Sequence, residues 1–581
     1  MHKFHGFKEK TLYMYVRASA LAILLCVVCA PTAWGQQHDH HNAPAQQQPI
    51  PTPEKASPAS QTKQTTQDAM PTPTTPTPPS HQHPPVAPSA AVPSNVAPTQ
   101  TTWGDTLKPV APQQDATTTH QGHEKQSGST AVDHSGHGAI RSTAQPSPDS
   151  GASTLMVMSG NEMGIRVGTS ASNVMPMGQM GSGTSWQPST TPMNMWHKVA
   201  GEWLLMLHGE AKIGVNRQGG LHGVTKFESQ NWLMPMAYRR IGRGTLQLRG
   251  MFSLEPLTFS GAGSPQLFQT GEVYRGEPII DAQHPHDLFM EMSAQYTMPV
   301  GERATWYAYV GFPGEPALGP VAFMHRASAS ENPTAPLTHH LQDSTHISFG
   351  VFTTGFTYRW LKLEGSVFNG REPDDRRYNF EFNPWSSRSA RISVAPNNNW
   401  TMQFSYGLLK NPELLEPGDT RRMTASVQYN KPFARGNWAT SLIWGRNREE
   451  HDGEIFKLNG YTAESTLNFL DKNYVYTRLE LVDRKELLRH EDLDRLGFDH
   501  DSHPQFRIGA YTFGAARDIW TTSKLSVALG GDVTFYSKPD VLDAIYGRHP
   551  TSYKFFFRIR PSRMSSHGAD AGDAHSGHGS N

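Results

Sequence analysis

"WLLMLHGEAKIGVN", residues 203–216, changes polarity at almost every step. Leu205, Leu207, Gly209, Ala211, Ile213 and Val215 are apolar or small, and Met206, His208, Glu210, Lys212 and Asn216 fall between them. A helix would return to one face every ~3.6 residues; a period of two sustained this long predicts a β-strand whose faces meet different surroundings. The rhythm returns in "TLQLRGMFSLE" (245–255) and in "DLFMEMSAQYTM" (287–298). In the latter, Leu288, Met290, Met292, Ala294 and Tyr296 oppose Asp287, Glu291, Ser293, Gln295 and Thr297. Further cases begin at Trp400, Arg422, Tyr461 and Lys524, and "SYKFFFRI" (552–559) supplies an aromatic closing strand.

Counting in this way gives about 16 strands of about ten residues, the length that crosses a bilayer when tilted. The links alternate. Those near 240, 301, 395, 431 and 471 are short, whereas 258–286, 312–345, 369–388, 409–421, 445–458, 484–504 and 538–551 are long. Strict alternation of short turns and long loops predicts an all-β fold over 201–560: a closed up-and-down transmembrane β-barrel of about 16 antiparallel strands. A soluble sandwich or propeller does not sort its links by length onto one end. Nor does it keep aromatic residues in outward phase, as Trp306, Trp400, Trp438, Trp444 and Tyr461 are here.

The rest of the chain is of other kinds. Residues 1–35 have a basic head, the apolar "ALAILLCVVCA" and a small-residue exit, a secretory signal peptide. Residues 36–153 are rich in Pro, Thr, Gln and His with Trp103 as their one aromatic residue, so disorder is expected. A Met-rich linker (154–200) precedes the barrel and a His/Gly-rich tail (561–581) follows it. The expected location is the outer membrane, in contact with its lipid, with both extensions in the periplasm. Lys plus Arg and Asp plus Glu are equal at 51 each, which gives no footprint for nucleic acid. Cys26 and Cys29, both in the signal, are the only cysteines. That leaves His, Met, Asp and Glu as metal ligands and excludes thiol chemistry in the mature chain.

The first two long links carry the densest chemistry. One ends in Asp281, His284, His286 and Asp287; the next holds His325, His339, His340, Asp343 and His346. Imidazoles from neighbouring loops suit copper, zinc or nickel. The competing reading is a hydrogen-bonded loop plug in which Arg326 and Arg371 pair with the carboxylates. In the extensions, "DHSGHG" and "AHSGHG" offer His134, His137, His575 and His578 as capture ligands, and Met175, Met177, Met180, Met193 and Met195 offer thioethers suited to Cu(I). Histidine and methionine together make a copper ion the leading candidate, and the fold needs no cofactor. The inward positions, among them His208, Arg249, Glu255, Glu291, Lys362, Glu364, Arg391, Arg478, Glu480 and Asp532, fit either a water-filled pore or a lumen closed by salt bridges. Three functions follow: a copper-binding barrel contributing to metal tolerance or passage, a general diffusion porin, and an outer-membrane lipid hydrolase using Ser344 with His346. A non-enzyme is expected, because no third catalytic partner accompanies that pair.

The strings "WLMPMAYRR", "LFQTGE", "DAQHPHDLFMEM", "GEPALGPVAFMHR", "HHLQDSTHISFG" and "FNGREPD" together resemble a family of Gram-negative outer-membrane β-barrels of uncharacterised activity, over about 195–560. The resemblance implies a surface barrel. The His- and Met-rich extensions are similar to those of the outer-membrane copper-resistance B proteins, which implies copper sequestration. They depart from that family in lacking a regular Asp-His-Ser-x-Met repeat.

Overall fold

The computed structural model describes residues 155–159, 162–169, 172–451, 453–499 and 502–564. The signal peptide, the segment 36–153, the tail beyond 564, and with them His134, His137, His575 and His578, lie outside the described residues. Sixteen strands form the wall. They are β1 (Trp203–Arg217), β2 (Thr225–Ile241), β3 (Gly244–Phe252), β4 (Phe289–Val300), β5 (Ala304–Gly311), β6 (Val351–Tyr358), β7 (Leu361–Phe368) and β8 (Ser387–Asn397). The second half comprises β9 (Trp400–Lys410), β10 (Asp419–Phe433), β11 (Gly436–His451), β12 (Glu454–Phe469), β13 (Asn473–Arg484), β14 (Phe506–Thr521), β15 (Leu525–Ser537) and β16 (Thr551–Pro561). Each pairs antiparallel with its neighbours in sequence, and β16 closes the barrel on β1. No helix among the described residues is long and apolar enough to cross a membrane, so the crossing is made by strands.

The seam is composite. β16 pairs with the second half of β1, Tyr553 opposite Arg217 through Ile559 opposite Ala211. The first half of β1 is covered instead by Met195–Ala200, which runs from Met195 opposite His208 to Ala200 opposite Trp203. A bridge between Asn194 and Arg563 joins the two covering segments.

β16 shows why this sequence makes a wall between lipid and protein. Tyr553, Phe555 and Phe557 are exposed on the outside, whereas Ser552, Lys554, Phe556 and Arg558 are buried inside. The same outward set includes Leu205, Leu248, Met292, Val310, Phe352, Phe404, Leu442 and Val475. An apolar belt all around a closed wall places the barrel in a membrane, where antiparallel pairing around the closed sheet satisfies the backbone without a free edge.

Two expectations change. Residues 445–458 are not a long loop: β11 and β12 continue to His451 and Glu454, which pair across the turn. The outward positions here carry Glu450 and Lys457, exposed to water, whereas Asn447 and Phe456 stay buried inside, so the apolar outward set that marks a strand in lipid is missing. Met290, expected on the face of Met292, is buried, because a β-bulge between Phe289 and Glu291 shifts the register there.

Two segments fill the lumen. From the long-loop end, 312–350 between β5 and β6 folds inward, and Ala317, Leu318, Val321 and Ala322 are buried in it. From the short-turn end, 172–194 enters as a plug. Asn173 Nδ2 donates to the Gly301 carbonyl at 3.0 Å, Thr190 N–H donates to the Asn398 carbonyl at 3.2 Å, and Lys362 lies 4.8 Å from the centre of the Trp186 ring while donating to the Thr184 carbonyl. The two segments meet where Ala322 N–H donates to Ser182 Oγ at 2.8 Å.

Ion pairs lock this packing. Arg326 bridges Asp343 and Glu464 at 2.6 Å each, Arg391 holds Glu364 at 2.9 Å, and Arg558 joins Glu331 and Asp518. Of the two states the sequence left open, the salt-bridged lumen is the one observed. Two glycines leave room for inward tyrosines across the sheet: Gly355 opposite Tyr307 and Gly514 opposite Tyr476, where a Cβ would sit 2.4 Å from the Tyr307 hydroxyl and 2.2 Å from the Tyr476 ring.

Candidate functional site

Beneath the long-loop end, the link 253–288 forms a hairpin of Ser264–Tyr274 and Glu277–Gln283, and then turns into the lumen through His284, Pro285 and His286. The inward loop meets it with a short helix, His339–Gln342, and a 3₁₀ turn, Ser344–His346. Five imidazoles close into a ring. Centroid separations run 6.4 Å (His284 to His286), 5.3 Å (His286 to His346), 5.1 Å (His346 to His339), 5.4 Å (His339 to His340) and 5.8 Å (His340 back to His284). All five are buried. Phe323 stacks on His286 from within the loop, and the His340 ring rests on Gly271, where a Cβ would meet it at 2.6 Å.

A shell of oxygens orients the rings. Nδ1 of His286 donates to Glu255 at 2.8 Å, Nδ1 of His339 to Asp343 at 2.7 Å, Nδ1 of His340 to Glu372 at 3.3 Å, and Nδ1 of His346 to the Asp343 carbonyl at 2.8 Å. Oxygen acceptors at Nδ1 fix the proton there, so in a neutral ring Nε2 carries the lone pair. The Nε2 atoms of His286, His340 and His346 are buried and have no hydrogen-bond partner. His284 differs: oxygens of Glu272 and Pro285 face both its nitrogens, at 2.8 Å and 3.1 Å, so neither nitrogen is orphaned.

Burial pushes His284 and His340 down to about 4 and His346 well below the ordinary histidine range. His339 is lowered by burial too, against the pull of Asp343. Burial also acts on His286, but the Glu255 carboxylate outweighs it and the net shift is upward. Asp343 lies well below the usual carboxylate range, because Arg326 and His339 overcome its burial. Asp287 is pushed up to about 7 by burial, despite its 3.2 Å contact with Arg377.

Of the nine loop residues singled out by sequence, six come together here: His284, His286, His339, His340, His346 and Asp343. Asp287 faces Arg377, which also holds Glu272 at 2.6 Å and takes the role expected of Arg371. Asp281 is drawn away to His222 at 2.9 Å and to the Phe268 N–H at 2.7 Å, a loop anchor outside the ring. His325 points elsewhere, against Trp232 at a centroid distance of 4.8 Å. Among the described residues no three His, Cys, Asp or Glu side chains are already drawn together around one point suited to a metal ion. Ser344 accepts a hydrogen bond from Arg422 at 2.8 Å while His346 is turned to the Asp343 carbonyl, so the two share a turn but are engaged with different partners.

Met177 and Met195 are buried in one cluster with Met206, Met234, Met236, Met251 and Met290, and Met180 and Met193 pack against it. Met175 lies apart, at a cavity beside Thr184 and Lys362. Glu272 and Glu372, which orient two of the rings, were not singled out by sequence. Carboxylates in loops carry no spacing signal, although both lie within strings distinctive enough to carry the family resemblance.

No protein-family model and no curated protein matches this chain. Its fold is similar to solved outer-membrane barrels: a loop L8 deletion mutant of OmpT, an outer membrane protein of Vibrio cholerae (8% identity, 62% of this chain and 99% of that one, TM-score 0.37). Others are an anion-selective porin from Comamonas acidovorans (10%, 61% and 99%, 0.37) and Salmonella typhi OmpF in complex with daunomycin (9%, 63% and 100%, 0.38). The likeness is one of barrel architecture alone.

Proposed function

We propose that this outer-membrane barrel binds a transition-metal ion, copper foremost, within its lumen and so contributes to metal tolerance or passage. The observation that carries the reading is the trio of orphaned, buried Nε2 atoms on His286, His340 and His346, each ring held at Nδ1 by an oxygen. An unsatisfied buried polar atom costs about 1–3 kcal/mol, and three around one ring call for a common partner. Two imidazoles on one tetrahedral ion, with nitrogens about 2.0 Å from it, have centroids on the order of 5 Å apart, which matches the 5.3 Å between His286 and His346, while His340 adjoins His339 and His284 in the same ring. These residues would hold the ion as imidazole ligands. The histidines of the extensions and Met175 would act as outlying capture groups. Passage through a diffusion porin fits less well, because plug and loop occupy the lumen.

The test is titration of the full chain in detergent with Cu(II) and Zn(II), beside a His286→Phe, His340→Phe, His346→Phe triple variant. Loss of one tight equivalent in the variant supports the reading. Identical stoichiometry and affinity in the two proteins would refute it.

A further inference from the structure

A second chamber, of about 130 Å³, lies where plug, wall and inward loop meet. The plug contributes Met180 and Met193, the wall Met234, Met236 and His208, and the loop Met324 and His325. Tyr238 Oη sits 3.5 Å from Met180 Sδ and 3.8 Å from Met236 Sδ, which brings these two sulfurs from different segments to one side of the chamber. His208 Nε2 is buried and unpartnered.

Most of the charges around the chamber are paired. Arg249 faces Glu291 at 3.6 Å and donates to the Gly183 carbonyl at 2.8 Å, while Arg560 is paired with Glu331 at 3.2 Å and Glu210 at 3.4 Å. A monovalent ion therefore meets a wall in which Arg249, Arg326 and Arg560 are paired with carboxylates and Arg563 leans on the Asn437 amide, with thioethers and His208 as donors. Methionine often fills gaps in cores. Here, however, the side chains surround a space and leave a bare imidazole nitrogen at it.

We infer that this chamber is a soft-metal site, selective for Cu(I) and its analogue Ag(I), built from thioethers of plug, wall and loop with His208. Thioether sulfur selects soft monovalent ions over Zn(II). Because its ligands come from three segments, the bound ion also ties the plug to the barrel. The site shares no residue with the histidine ring, so it stands or falls independently.

Ag(I), which does not change oxidation state, is the probe. Titration calorimetry and silver-edge X-ray absorption on the full chain in detergent compare the wild type with Met180→Leu/Met236→Leu, a nearly volume-conserving change, and with Met324→Leu on the loop side. The expected result is loss of one Ag(I) equivalent and of sulfur neighbours in the double variant, a weakened site in the loop variant, and no displacement by excess Zn(II). The histidine-ring triple variant should retain the sulfur-bound equivalent. An unchanged sulfur shell and stoichiometry in both methionine variants, or displacement by Zn(II), would overturn the inference. Heat-dependent mobility on gels verifies that each variant is a folded barrel.

Discussion

Replacing Arg326 with methionine tests what holds the inward loop in place. The guanidinium is fully buried, donates from Nη1 to Asp343 at 2.6 Å and from Nε to Glu464 at 2.6 Å, and so ties the loop to β12. Both carboxylates keep other partners in the variant, His339 for Asp343, and Arg478 at 3.2 Å and Ser328 at 3.0 Å for Glu464. The loss therefore falls near the lower end of the ~3–5 kcal/mol that follows when one member of a buried ion pair is removed. At about 1.4 kcal/mol per decade, ~3 kcal/mol shifts the balance between seated and released loop about a hundredfold. Limited proteolysis within 312–350 reads this directly: cleavage should become about a hundred times faster, and thermal unfolding should begin earlier. Adding Asp343→Asn and Glu464→Gln removes the uncompensated charge and should recover part of the loss. If Arg326→Met leaves the cleavage rate of 312–350 and the unfolding midpoint where they were, the ion pairs do not hold the loop.

Gly514→Ala places a methyl group against the Tyr476 ring and should destabilise the barrel by about 1–3 kcal/mol, measured as earlier urea unfolding in detergent. Phe555→Lys puts a charge on the lipid face of β16 at an expected cost of about 2–4 kcal/mol near mid-bilayer, seen as a smaller folded fraction on vesicles. His222 lies in the 218–224 loop, and its pKa is raised by its hydrogen bond to Asp281. Its contribution to order there is complete below the unfolded value of about 6.5 and is lost as pH rises through the elevated folded value. Amide exchange in 218–224 should therefore quicken, beyond its intrinsic pH dependence, above neutrality in the wild type and not in His222→Gln.

The wall was legible because lipid on one side and packed polar groups on the other impose a period of two, as in Tyr553 through Arg558. Where the outward face meets water instead of lipid, as at 445–458, that signal vanished and strand read as loop. The histidine loops were legible as a concentration of imidazoles, but not as a ring. Their meeting depends on the inward fold of 312–350, which leaves no mark in local spacing. For the same reason Met234, Met236 and Met324 looked like ordinary apolar residues of "WLMPMAYRR" and "VAFMHR" until the plug brought Met180 and Met193 beside them. Met175 shows the converse: membership in a methionine-rich stretch did not bring it into the cluster.

The composite seam has a consequence for how the molecule is put together. Without Met195–Ala200, the first half of β1 would present bare amide and carbonyl groups to hydrocarbon, at several kcal/mol for each group left unsatisfied. The hexapeptide follows directly on the plug in the chain, so the cylinder and its stopper are covalently one element at this point. A chain truncated at 201 should not yield an emptied but intact pore. It should yield a slit cylinder that recruits a foreign strand or fails to mature.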